Sequence, residues 1–80
     1  MSKKGQLKKA IADSEREISA LEQKRERSQS ALMHAMLMHV KPNPEDEQYF
    51  KVFTSLIDNE REHLRKLYAE LNSLGKKKDK

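Results

Sequence analysis

The chain has 80 residues, of which 35% are hydrophobic and 38% charged, with two Gly, two Pro and no Cys. That is enough for one small domain with a modest core, and it excludes both a large enzyme fold and a disulfide-braced secreted scaffold. The formal net charge is +4, carried by the first half: residues 1–42 hold nine basic and five acidic groups, residues 43–80 eight of each. The pairs Lys3-Lys4 and Lys8-Lys9 and the run Lys76-Lys77-Lys78 lie near the two ends.

No apolar stretch is long enough to span a membrane, and no hydrophobic signal segment follows the first lysines. A cytoplasmic protein without a membrane partner is expected.

A first helix is expected over about residues 5–40, where apolar side chains recur at steps of three and four. The stripe runs Leu7, Ile11, Ser14, Ile18, Leu21, Arg25, Ser28, Leu32, Ala35, and polar residues interrupt it three times. It ends in a dense apolar segment from Ala31 to Val40 that holds Met33, Met36 and Met38.

Pro42 and Pro44 break the chain, because each lacks a backbone donor and restricts the residue before it. Residues 41–43 read as the turn. Asn43 suits a helix N-cap and Pro44 the first helical position, and Glu45, Asp46 and Glu47 favour the positive helix end. The second helix is therefore expected over about 44–74. Gly75 in a left-handed conformation is its stop, with a basic tail at 75–80.

The second helix carries the clearer stripe: Phe50, Phe53, Ile57, Glu60, Leu64, Leu67, Leu71, Leu74, a heptad pattern interrupted once. Tyr49, Val52, Leu56 and Tyr68 widen it beyond a narrow coiled-coil seam. Folding the two helices about the turn pairs Leu21 with Leu64, Ile18 with Leu67, Ile11 with Leu74 and Leu32 with Phe53. The polar interruptions Arg25 and Glu60 then face each other as a register pair. The fold expected is all-α, an antiparallel two-helix hairpin.

One seam between two helices offsets the conformational entropy of so long a chain with difficulty. Dimerisation into a four-helix bundle, or a helix from another protein, is the expected remedy. The candidate partner-binding residues are Met33, Met36 and Met38, whose flexible thioethers suit adaptable surfaces, together with Tyr49, Val52, Leu56 and Tyr68.

Other chemistries find little support. Glu60 to His63 spells Glu-x-x-His, a motif that ferritin-like bundles use for metal, but the facing core position holds Arg25. His34 and His39 are five apart and share no face. No nucleophile motif, phosphate loop or dinucleotide fingerprint is present. No catalytic residue, metal or cofactor is expected.

A nucleic-acid accessory role is the alternative. A hairpin brings Lys3, Lys4, Lys8, Lys9, Lys76, Lys77 and Lys78 to one open end as candidate phosphate contacts, although acidic residues dilute the charge along the first helix. The function expected first is a small non-enzymatic protein-binding module, an adaptor, chaperone or inhibitor, that covers an amphipathic helix or self-associates. In size and layout the chain resembles the small helical-hairpin chaperones of secretion systems, a likeness of layout carried by no motif.

Overall fold

A computed structural model describes residues 2–78, with side chains through Gly75. It contains two α-helices, α1 (Lys3–Leu37) and α2 (Pro44–Lys78), packed against each other as an antiparallel hairpin. The rod measures 62 × 19 × 16 Å, with a radius of gyration of 18.1 Å. A compact domain of this length would have a radius of gyration of about 12 Å. Among the described residues the core is the one seam between α1 and α2.

Local sequence explains each helix end. Ser2 is the N-cap of α1, and its hydroxyl accepts from the Gly5 N–H at 3.1 Å. Helix α1 therefore starts two residues earlier than expected. It also stops earlier, at Leu37. His39 adopts φ 56°, the Val40 N–H bonds the Ala35 carbonyl at 3.0 Å and the His39 N–H bonds that of Met36 at 3.2 Å. This is a Schellman closure with histidine at the left-handed position. The chain has turned before either proline acts.

Asn43 caps α2 as its sequence implies, its side-chain oxygen accepting from the Glu45 N–H at 2.9 Å. At the other end α2 runs through Gly75 to Lys78, and no described glycine has positive φ. Gly75 is an ordinary helical residue rather than a stop.

The stripe of α1 is the buried face: Leu7, Ile11, Ser14, Ile18, Leu21, Ser28 and Ala35 are buried. Among the described side chains of α2 only Ile57 is fully enclosed, while Phe50, Phe53, Glu60, Leu64, Leu67, Leu71 and Leu74 are half-buried. Ile18, Leu21 and Ile57 form the central cluster, with Phe53 and Leu64 packed against it.

The register differs from the expected one. Phe53, expected beside Leu32, packs on the cluster of Ile18, Leu21 and Ile57. Glu60, expected beside Arg25, accepts a hydrogen bond from Ser14 at 2.6 Å. Arg25 instead lies over the Phe50 ring, 5.9 Å from its centroid. The Arg25–Glu60 pair is thus not formed. The displacement is about one heptad, and a heptad stripe presents the same face after a slip of seven. Polar chemistry separates the two registers: the observed one gives the carboxylate a hydroxyl donor and the guanidinium an aromatic face.

Candidate protein-interaction surface

Among the described residues nine large hydrophobic side chains are exposed, and they fall into separate groups. Met33, Met36 and Leu37 stand at i, i+3 and i+4 on the last turns of α1, a spacing that makes them neighbours on one surface. They lie off the buried stripe, and Met36 and Leu37 are each 75% exposed. Met38 and Val40 continue the patch into the turn, at 60% and 57%. The closed end of the hairpin is therefore an apolar tip.

Leu37 and Val40 were absent from the candidates read off the sequence. The signal for them was their position: neither falls on the three-four stripe that α1 buries.

Tyr49, Val52 and Leu56 form the second group. Their spacing puts them on one flank of α2 beside Phe53, and all three are exposed. The Tyr49 and Phe53 rings stack with centroids 6.2 Å apart. A shallow groove joins this flank to α1, lined by Lys24, Arg27, Ser28, Asp46, Tyr49 and Phe53.

Tyr68 belongs to neither group. Its hydroxyl donates to Glu15 at 2.9 Å, on the flank where Arg61 pairs with Glu22 at 2.8 Å. Heptad position places this flank opposite the one bearing Tyr49. The Glu15 carboxylate, as acceptor, raises the Tyr68 phenol above its ordinary pKa. Tyr68 thus closes the seam over α1, and the seven candidate residues do not make one surface.

The polar residues singled out in the sequence are engaged locally. Glu60 accepts from Ser14 and lies 3.0 Å from His63 Nδ1. The Ser14 bond, and then the His63 bond, hold the Glu60 carboxyl below its ordinary value. The Glu-x-x-His motif therefore makes an internal hydrogen bond. Among the described residues no three His, Cys, Asp or Glu side chains are grouped to hold a metal ion, and no helix is long and apolar enough to cross a membrane.

At the open end Lys3 pairs with Glu70 at 3.6 Å. Lys4, Lys8 and Lys9 are exposed, and helical periodicity spreads the four lysines around most of the circumference of α1. They do not form one positive face. The side chains of Lys76, Lys77 and Lys78 lie outside the described residues.

No protein-family model matches the chain, and no curated protein or solved structure matches it significantly.

Proposed function

We propose that the hairpin is a small, non-enzymatic, cytoplasmic protein-binding module, an adaptor, chaperone or inhibitor, whose main contact is the apolar tip. The observation that carries this reading is the distribution of apolar side chains. Among the described residues six hydrophobic ones are buried, whereas nine large ones are exposed, five of them at the closed end. Contiguous exposed apolar surface on a small domain marks an interaction site. Three of the five are methionines, which repack around differently shaped partners. The tip takes the apolar stripe of an amphipathic helix, and the flank of Tyr49, Val52 and Leu56 is a separate exposed apolar surface.

The test is a tagged pull-down from the native cell, with and without nuclease, for the wild type and for a Met36→Glu, Leu37→Glu variant. Both positions are exposed, so circular dichroism should show unchanged helicity. One stoichiometric protein that survives nuclease and is lost with the variant supports the reading. Retention that disappears with nuclease overturns it in favour of the nucleic-acid alternative. Retention unaffected by the variant removes the tip from the contact.

A further inference from the structure

The flank that carries Tyr49 has a charge pattern complementary to itself. On α1, Asp13, Glu17, Ala20, Lys24 and Arg27 follow at steps of three and four beside the buried stripe, so they form one line along the helix. Ala10 and Ala31 extend it at either end. The half of this line toward the open end is acidic, and the half toward the tip is basic. When a second copy runs in the opposite direction, Glu17 meets Lys24, Asp13 meets Arg27 and Ala10 meets Ala31. Ala20 sits at the midpoint and meets itself.

The charges are available for this. Among the described residues no ion pair involves Glu17, Lys24 or Arg27, and Asp13 pairs with Arg16 on its own helix. A shallow depression bordered by Ala20, Gln23, Lys24 and Arg27 marks the midpoint. The neighbouring groove joins Lys24 and Arg27 to Tyr49 and Phe53. The charged line and the exposed apolar flank of α2 are thus parts of one face.

We propose that this face is the interface of an antiparallel homodimer, a four-helix bundle whose two-fold axis passes beside Ala20. The hairpin register carries the same axis past α2. Ile18 and Leu21 cluster with Ile57, so Ala20 lies level with Ile57, and the axis runs beside Leu56. The two Leu56 side chains come within reach of each other. Tyr49 and Val52 lie over Lys66 and His63 of the second copy, whose alkyl stem and ring cover them. Alanines along the α1 line let the two α1 helices approach toward the short end of ordinary packing distances.

Surface area supports the same occupant. The hairpin exposes 6519 Å², whereas a folded monomer of this mass exposes about 5,000 Å². The excess is roughly 1,500 Å², more than the ~800 Å² that each partner contributes to a standard interface. A second copy is favoured over an unrelated helix because an isologous interface must be its own complement, and this line is.

This inference rests on reading the hairpin as an interaction module, and it leaves the Met-rich tip free at both ends of the dimer. The test is sedimentation equilibrium of the purified chain with two charge variants, Asp13→Lys with Glu17→Lys, and Lys24→Glu with Arg27→Glu. All four positions are exposed, and helicity is checked by circular dichroism. The wild type should be a dimer at micromolar concentration, and each variant alone should associate at least about tenfold more weakly, because like charges then face each other. Mixing the two variants should restore a heterodimer, and the fourfold swap should dimerise like the wild type. A monomeric wild type, variants that dimerise unchanged, or a mixture that stays monomeric would each overturn the proposal. None of these results alters capture of a protein by the tip, which the Met36→Glu, Leu37→Glu variant tests separately.

Discussion

The Ser14 hydroxyl donates to the Glu60 carboxylate at 2.6 Å across the helix–helix seam, and His63 Nδ1 lies 3.0 Å from the same oxygen. Polar residues of the two helices meet here within the packed stripe. The Ser14 bond first, and His63 second, hold the Glu60 carboxyl below its ordinary 4.5. A carboxyl with a lower pKa folded than unfolded stabilises the fold above its unfolded value, and that contribution is lost as pH falls through the folded value. Thermal melting from about pH 7 to about pH 3 should therefore show stability declining below roughly 4.5. Glu60→Gln should flatten part of that decline. Equal slopes for the two proteins would mean that Glu60 is not a source of the acid sensitivity.

The same bond selects the register. Ser14→Ala should cost about 1–2 kcal/mol, since it removes a hydrogen bond to a charged group. Replacing both partners, Ser14→Ala with Glu60→Leu, leaves no buried group unpaired, since His63 is exposed to water, and should change stability little. It should, however, admit the heptad-shifted hairpin. The chain has no cysteine of its own, so spin labels at exposed Ser19 and Asn59 report the register directly. A slip of seven residues moves one helix by about 10 Å. The double replacement should add a second distance to the single one of the parent, and one narrow distance in both would show that the tip alone fixes the register.

This explains which parts of the fold were legible in the sequence. Pro42, Asn43 and Pro44 announce the turn through their own backbone chemistry, and the three-four stripe of α1 names the residues that are buried. The register was not legible, because pairing Leu21 with Leu64 or placing it beside Ile57 satisfies the same heptad stripe. The end of α1 was hidden for another reason. A left-handed residue is signalled by Gly or Asn, and His39 is neither. The candidate surface was legible as a set of residues in excess of the seam, but Tyr68 was placed with Tyr49 because stripe width alone does not tell one flank from the other.

The His39 conformation gives a direct test of that closure. At φ 56° a β-carbon crowds the following carbonyl, which costs an ordinary residue about 1–2 kcal/mol. His39→Gly removes the crowding and retains both backbone bonds of the Schellman closure. Glycine loses more conformational freedom on folding, about 0.5–1 kcal/mol, which offsets only part of that relief, so a net gain of about 0.5–1 kcal/mol is expected in denaturant unfolding. His39→Val should destabilise, because β-branching makes the left-handed region still less accessible. Equal stability of the three proteins would mean that the left-handed turn at His39 is not retained in solution.

Core and tip residues should respond oppositely to truncation. Ile57 is 0% exposed and belongs to the central cluster, so Ile57→Ala deletes buried methyl groups and leaves a cavity in the helix–helix seam. A loss of about 2–4 kcal/mol is expected, a large fraction of the stability available to so small a domain. Met36, 75% exposed, touches little that folding buries. Met36→Ala should stay within about 0.5 kcal/mol of the parent, and alanine's higher helix propensity favours the variant slightly. Parallel urea titrations of the two variants measure the contrast. If Met36→Ala destabilises as much as Ile57→Ala, the tip is folded against the hairpin in solution and is not available to a partner. If Met36→Ala is neutral in stability and still weakens capture, its side chain is retained for binding rather than for folding.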